Sequence, residues 1–546
     1  MKKRLILLAL LSGVMLWAAW PVNGFAPLLF VAFIPMLFVE DYIHQNREKF
    51  GRVGLFNRAY LAFFVWNILT TWWIYYASFF GAAMAIIFNA LFMALVFQLF
   101  HSTRKYLTDT QSYAALITYW IAWEYIHLDW DLTWPWFTFG NGFASWTGMI
   151  QWYEFTGTFG GSLWVLLVNV LIYRLIKHYF IDIAPKNKKF YLRVLGISML
   201  IIIPVVISKI IYSNYTEKYD PRQIVVVQPN IDPYNEKFGG MSFTDQMNRI
   251  LALADQKVST ETDFIVAPET AIPHGVWEND MSNIWSFDTI RGFISRSKKL
   301  KVVIGMTSRR VFEEGETISS TARKFKNEEI YYDEYNTALF LDNYNSIQLY
   351  HKSKLVPGVE KMPFPALFKQ IESFAIDMGG TVGSLGTQDE RSVFVPLDDS
   401  AKIAPVICYE SIYGEFVAKY VRNGAAFIFI ITNDGWWDDT PGYKQHCELA
   451  RLRAIETRRS IARAANTGIS CFIDQRGDVF LRTKWWEPAV INMDINANYA
   501  ITFYVAHGDY IARICLMLSA ILLLYSIILR IERRLGRSRT RNRSPQ

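Results

Sequence analysis

Cysteine is scarce in this 546-residue chain: there are four, Cys408, Cys447, Cys471 and Cys515, with no CxxC pair and no metal-ligand spacing. A disulfide framework and a zinc-ribbon site are therefore excluded. Charge is scarce too, at 19% Asp, Glu, Lys and Arg against 52% hydrophobic residues, with 16% aromatic residues and 19 Trp. That balance is too apolar for a soluble protein and implies a membrane protein with a sizeable part outside the bilayer. Ionisable side chains are nearly missing from the long apolar stretches, Glu124 near one outer end apart, which argues against a transporter or channel. The net charge of +7 does not point to nucleic acid. The C-terminal run RIERRLGRSRTRNR (530–543) places seven arginines directly after an apolar stretch, the pattern of a cytoplasmic anchor.

Eight apolar stretches are long enough to cross a bilayer, at about 17–25 residues each. Seven precede residue 213, at roughly 4–20, 26–40, 54–75, 80–101, 112–127, 162–178 and 194–212, and one follows at roughly 510–530. The loops 41–52, 101–107 and 176–193 are basic, whereas 22–26 and the aromatic stretch 127–157 contain no Lys or Arg. The positive-inside rule then puts both chain ends in the cytoplasm and residues 213–509 on the other side. The start MKKRLILLALLSGVMLWAAW also fits a signal peptide, but no small-x-small cleavage site stands out, and retention as a span is expected.

Residues 213–509 read differently. Short β-branched runs at 223–230, 263–270, 301–308, 336–342, 403–410 and 425–434 alternate with helical patterns at 242–258, 286–299, 411–422 and 442–465. Gly424 stands at a helix C-cap position, and DNYN (342–345) and DQRGD (474–478) are hairpin signals. The strands run continuously apolar, which suits sheets covered on both faces. The expected organisation is a membrane domain at 1–212, an extracytoplasmic α/β domain at 213–509, a last span at 510–530 and a basic cytoplasmic tail at 531–546.

Three strand ends close on residues of catalytic type: Glu269 after IVAP, Lys352 after LYH, and Cys408 after APVI. A carboxylate, an ammonium and a thiol together can perform acyl transfer. The carboxylate takes the thiol proton, the sulfur attacks, and the ammonium with a backbone N–H holds the oxyanion. A helix starting near residue 411 and the Lys352 charge are expected to lower the cysteine pKa. A buried structural cysteine would occupy the same kind of position. His351 and His446 have no partners at ligand spacing, so neither a metal nor another cofactor is expected. Cys447 and Cys471 read as core residues.

The segments VAPETAIP, YHKSKLVPGVEKMP and VICYESIYGE resemble, in chain order, the three signatures of the nitrilase (carbon–nitrogen hydrolase) superfamily. With TNDGWWDDTPGYKQHCELARLRAIETRRSIARAANTGIS (432–470) and the eight-span frame, nearly the whole chain resembles the apolipoprotein N-acyltransferase family of the bacterial inner membrane. The resemblance implies a multi-span helical membrane domain carrying a periplasmic nitrilase-like αββα sandwich. It implies Glu269 as general base, Lys352 as oxyanion stabiliser and Cys408 as nucleophile, with Glu360, Glu410 and Tyr409 in support. It also implies transfer of a fatty acyl chain from a phospholipid to the N-terminal amine of a diacylglyceryl-cysteine lipoprotein, by a ping-pong route. A membrane-anchored hydrolase using water as acceptor is the alternative. A monomer is expected, with lipid bilayer, phospholipid and lipoprotein as its only partners. Trp134, Trp136 and Phe137, with Trp436 and Trp437, are expected to line an acyl path, and Asn433 to shape the strand-end loop beside the site. Two positions depart from the family pattern: Phe238, expected to keep an aromatic lid that binds lipid, stands where Trp is frequent, and His127 where an Arg often follows the fifth-span Glu.

Overall fold

The computed structural model describes residues 1–51, 53–364 and 384–541; of the arginine tail, 542–546 lie outside the described residues. Among the described residues, five helices are long and apolar enough to cross a membrane: Ala26–Gln45, Phe79–Thr103, Tyr153–Ile181, Lys188–Asn214 and Tyr510–Leu535. The three other expected spans are helical as well, Lys2–Ala18, Gly54–Thr71 and Asp109–Ile126, of 17, 18 and 18 residues. They pack among the five. Ser12 Oγ donates to the Ala32 carbonyl at 2.6 Å, and at Gly13 a Cβ would meet Ala62 O at 2.4 Å, so only glycine lets those two helices approach so closely.

Residues 221–496 form two stacked sheets. The first has the order β13 (Ala489–Asn496), β1 (Pro221–Gln228), β2 (Thr262–Val266), β4 (Lys301–Val311), β6 (Tyr331–Leu341), β5 (Arg323–Lys324), with β3 (Ile272–Trp277) against β4 and β7 (Ile347–His351) against β6; the second runs β12 (Val479–Phe480), β11 (Cys471–Ile473), β10 (Ser460–Ala465), β9 (Ala425–Thr432), β8 (Lys402–Ile407). The strands nearest the site are β2 (Thr262–Val266), β4 (Lys301–Val311), β6 (Tyr331–Leu341), β7 (Ile347–His351), β8 (Lys402–Ile407) and β9 (Ala425–Thr432). Strand alternation assigns each face. In β1 (Pro221–Gln228), Ile224 and Val226 join Val406, Ile428 and Ile430 between the sheets, while Val225 and Val227 pack under the helices Phe243–Asp255 and Trp285–Ile294. The helices Gly414–Arg422 and Pro441–Thr457 cover the other sheet. The result is the expected αββα sandwich, with β9 buried along its whole length. Each buried Ile, Val or Phe contributes about 1.5–3 kcal/mol.

Two expectations about elements need correction. The helical pattern 442–465 is two elements: the helix ends at Thr457, Arg458 adopts a left-handed conformation at φ 50°, and Ser460–Ala465 continues as β10, parallel to β9. The helix expected at 411 begins only at Gly414, because a 3-10 turn, Cys408–Ile412, intervenes. The sequence reading also passed over β3 (Ile272–Trp277) and β13 (Ala489–Asn496), whose apolar residues are diluted by Pro, His, Gly, Asn and Asp.

The aromatic stretch 127–157 lies between the bundle and the sandwich and ties them together. Glu124, buried in its helix, accepts from the Phe139 N–H at 2.9 Å and from Trp120 Nε1 at 3.1 Å, which holds the stretch on the bundle. From the stretch, Thr133 accepts from the Tyr409 hydroxyl with its carbonyl (3.0 Å) and from the Tyr413 hydroxyl with its Oγ1 (2.9 Å). Trp136 Nε1 donates to Gln445 at 2.7 Å, and Glu154 pairs with Arg458 at 2.8 Å.

Candidate active site

Glu269, Lys352 and Cys408 lie just beyond the ends of β2, β7 and β8. Parallel pairing of β2 with β4, and antiparallel pairing of β4 with β6 and β6 with β7, brings the first two together across the sheet. Lys352 Nζ donates to Glu269 Oε1 at 3.0 Å and to Glu360 Oε1 at 2.7 Å. The lysine is only 1% exposed and Glu269 6%. A further approach makes this possible: a Cβ on Gly305 of β4 would lie 2.6 Å from Glu269 Cα.

The Glu269 carboxylate is fully dressed. Oε1 also accepts from Asn336 Nδ2 at 2.7 Å, and Oε2 accepts from the Asn433 N–H at 3.0 Å. Burial works against its charge, yet Lys352, Asn336 and Lys237 outweigh burial and hold it below the usual glutamate range. Burial likewise opposes the Lys352 charge, but Glu269, Glu360 and Cys408 raise it well above the usual lysine range. At neutral pH this part of the site is therefore carboxylate and ammonium.

Cys408 is 8% exposed, and its backbone is left-handed, φ 49°. A non-glycine residue there carries strain of about 1–3 kcal/mol. The turn is held from three sides. Glu410 accepts from the Ile407 N–H (2.8 Å), the Ser353 N–H (2.7 Å) and the Tyr350 hydroxyl (2.7 Å), so it clamps the ends of β8 and β7 to each other. Ser411 Oγ donates to the Cys408 carbonyl at 2.7 Å, and His446 Nε2 lies 3.2 Å from the same oxygen. His446 is set in turn by Asp434, which pairs with Arg463 at 2.9 Å. Contrary to the sequence expectation, the thiol is not pre-ionised. Burial, and then the Glu269 charge, push it up, and Lys352 and a hydrogen bond with Thr432 offset only part of that. The α-helix expected to start beside the sulfur starts at Gly414, and the 3-10 turn Cys408–Ile412 stands in its place.

Cys408 and Tyr409 also form part of the wall of an apolar cavity of about 120 Å3. Its other wall comes from the bundle: Trp73, Ile74, Met84, Ala85, Phe88 and Phe92. Of the expected aromatic lining, Trp134, Trp136 and Trp437 are in the cavity wall, with Trp134 and Trp136 stacked at 5.4 Å. Two residues are corrected. Phe137 is 3% exposed and packs on Trp20 and Trp66 inside the bundle, and Trp436 turns away to pack on Tyr234 at 5.2 Å. Phe238 is 61% exposed and does not reach the cavity wall, while Asn433 acts through its backbone N–H on Glu269 and caps the following turn with its side chain.

The sequence reading missed Asn336 and Lys237. Asn336 opens the run NTALFLD, and folding sets its amide on two carboxylates, Glu269 at 2.7 Å and Glu360 at 3.4 Å. Lys237, beside Phe238, donates to the Glu269 carbonyl at 3.2 Å and to Thr270 Oγ1, and burial lowers it to about 8 against the pull of Glu269. Cys447 and Cys471 meet in the core with sulfurs 3.8 Å apart. Among the described residues one group has metal-ligand geometry, Glu40, His44 and His101, but Arg104 also pairs with Glu40 and supplies the positive charge there.

Sandwich, strand-end residues and buried thiol define the class: residues 224–503 match the family model of carbon–nitrogen hydrolases. Residues 12–171 match that of the apolipoprotein N-acyltransferase N-terminal domain. The chain is 30% identical over 545 residues to the apolipoprotein N-acyltransferase of Chlorobaculum tepidum, covering 95% of this chain and 96% of that one. The Geobacter metallireducens protein of the same name is 26% identical over 539 residues, covering 95% and 94%. Nit3 of Saccharomyces cerevisiae, a nitrilase-superfamily member, aligns at 14% identity and a TM-score of 0.37, over 51% of this chain and 90% of that one. The chain belongs to the apolipoprotein N-acyltransferase family, a membrane-bound branch of the nitrilase superfamily.

Proposed function

We propose that this protein transfers a fatty acyl chain from a membrane phospholipid to the N-terminal amine of an S-diacylglyceryl-cysteine lipoprotein, through a thioester on Cys408. The observation that carries the reading is the position of Cys408: its thiol lies within the electrostatic reach of Glu269 and Lys352, and the same residue forms part of a cavity walled by bundle helices. Both substrates are lipids, and a cavity shared between bundle and sandwich admits their chains from the bilayer. The sandwich then lies on the periplasmic side, where lipoprotein N-termini emerge.

The thiol gives its proton to Glu269 as sulfur attacks the ester carbonyl, so a C–S bond forms while the carbonyl oxygen gains the charge. Two of the three Lys352 N–H groups are engaged by carboxylates, which leaves the third, with the Tyr409 backbone N–H, for the oxyanion. The tetrahedral adduct collapses, the ester C–O bond breaks, and lysophospholipid leaves with the proton from Glu269. The lipoprotein amine then loses a proton to Glu269 and attacks the thioester. The C–S bond breaks, an amide forms, and the thiol is restored. Because the resting sulfur is protonated, deprotonation accompanies attack instead of preceding it. An apolar cavity keeps water from the thioester, which favours aminolysis. The test is mass spectrometry of the full chain incubated with phospholipid: an acyl adduct on Cys408 that is discharged by a diacylated lipopeptide supports the reading. Discharge by water at the same rate with or without lipopeptide would make the protein a hydrolase, and an adduct elsewhere would overturn the assignment.

A further inference from the structure

The helix Lys188–Asn214 has the highest mean hydropathy of the five spans, 2.6, yet only 6% of that window is buried, against 61% for Tyr153–Ile181. Only Ser208 of the whole helix is buried. Its hydrogen bonds to other elements lie in its outer part: the Gln151 N–H donates to Ser208 Oγ at 2.7 Å, Trp164 Nε1 donates to the Leu200 carbonyl at 2.8 Å, and Tyr212 bonds Asp478 of the sandwich, while at the inner end the Phe190 ring meets Tyr179 at 4.9 Å. Beyond Leu200, away from the sandwich, it stands off from the helix Tyr153–Ile176. The gap is a pocket of about 850 Å3.

One end of this pocket is apolar, with Leu167, Leu171, Ile197 and Leu200; the other holds Arg174, Lys177 and Arg193 together with Asp109 and Asp182. Lys177 is engaged by Asp41 at 2.7 Å, and Arg174 lies 3.7 Å from Asp109. Arg193 lies over the Tyr179 ring at 5.5 Å, with no carboxylate at ion-pair distance among the described residues. With Asp41 counted, three cations face three carboxylates, but Lys177 is held by Asp41 and Arg174 lies beside Asp109, so Arg193 is the guanidinium left to take an anion. From Leu167 to Lys177 the helix rises about 15 Å, the depth of one leaflet of a hydrocarbon core about 30 Å thick.

We propose that an anionic phospholipid of the leaflet far from the sandwich occupies this pocket, its phosphate on Arg193 and Arg174 and an acyl chain along Leu171 and Leu200. Two observations select this occupant. Inside a bilayer a gap with apolar walls is filled by hydrocarbon, and basic pockets between helices on the cytoplasmic side recognise acidic headgroups. A free phosphate ion would leave the apolar end without a partner. The site is remote from the Cys408 cavity and does not depend on the transfer reaction; the bound lipid holds a loosely attached span to the bundle.

The test uses the full chain carrying Cys408→Ala, so that no lipid is turned over, purified in detergent and stripped of lipid. Native mass spectrometry and thermal unfolding are then read with added dioleoyl phosphatidylglycerol, dioleoyl phosphatidylcholine or sodium phosphate. Phosphatidylglycerol is expected to bind at least about tenfold more tightly than phosphatidylcholine and to raise the midpoint, with Arg174→Gln/Arg193→Gln erasing the preference. Gly196→Phe provides an independent check, because a Cβ at Gly196 meets nothing within 4 Å. It is expected to lower the count of tightly bound phosphatidylglycerol by one while keeping the midpoint of the lipid-free protein. Equal binding of the two lipids, a preference unchanged in both variants, or full stabilisation by sodium phosphate alone would each overturn the proposal.

Discussion

The two walls of the Cys408 cavity treat polarity in opposite ways. Behind the sandwich wall, Glu269, Lys352, Glu360 and Asn336 form a nearly dry network in which each charge has a partner. The bundle wall offers Trp73, Ile74, Met84, Phe88 and Phe92, and its polar residues Ser78 and Asn89 are occupied, Ser78 by the Gly81 N–H and Asn89 by His127 and Ala85. Burial strengthens every electrostatic interaction on the first wall and punishes any charge left single. The second wall can recognise only shape and hydrocarbon. Bond making and breaking thus belongs to the sandwich, and the choice of a lipid substrate to the bundle.

The largest test of that division is on the sandwich side. Cys408→Ala is expected to reduce acyl transfer by about four orders of magnitude or more while the protein still inserts and folds, checked by lipopeptide assay and thermal unfolding. Glu269→Gln keeps the hydrogen-bonding shape but cannot take a proton, and both half-reactions should slow by about 10²–10⁴-fold in single-turnover kinetics. Lys352→Met should cost a similar factor and about 3–5 kcal/mol of stability as well, since two carboxylates lose their buried cation. Equal stability of Lys352→Met and wild type would remove the paired-charge account.

The bundle wall should respond differently. Ala85→Trp narrows the cavity and is expected to lower transfer from long-chain phospholipid by about 10–100-fold while sparing acylation of Cys408 by a short soluble ester. If both donors lose equally, the wall does not select hydrocarbon.

A smaller effect concerns Lys237, 2% exposed beside Glu269. Its folded pKa, about 8, lies below the ordinary lysine value, so between pH 8 and about 10.4 the unfolded chain binds more protons than the folded one. Stability should rise with pH across that window, by at most about 1.4 kcal/mol per pH unit, and fall away from this gain below it. Lys237→Met should remove the slope in denaturant titrations at pH 8 and 10. Smallest of all, Phe238→Ala should change stability by no more than about 0.5 kcal/mol, because the ring is mostly exposed.

The element types along 213–509 were legible because β-branched runs and amphipathic stretches differ in period, and the hairpins at 342–345 and 474–478 and the left-handed Gly424 (φ 96°) fall where turn chemistry put them. The helical run 442–465 misled because ARLRAIETRRSIARAA is compatible with helix throughout; its end is set by Arg458 turning left-handed and by pairing of β10 with β9, a contact between distant segments. Glu269, Lys352 and Cys408 were visible as strand-end residues and through their motifs. Lys237 and Asn336 were not, since a lysine in a loop and an asparagine opening a strand are ordinary until folding puts one on the carbonyl and the other on the carboxylate of Glu269. Trp134, Trp136 and Phe137 of the stretch 127–157 were expected to line an acyl path, whereas much of the stretch is interior, with Phe137, Phe139 and Phe143 buried in the bundle core.

Taken alone, the order of residues determined that apolar spans flank an α/β domain and that a carboxylate, an amine and a thiol each close a strand, because these follow from periodicity, length and local motif. Only the tertiary structure decided the protonation of that thiol and which aromatic rings face the cavity. Both depend on what desolvates a group and which charges stand near it, and those neighbours come from separate segments of the chain that only folding brings together.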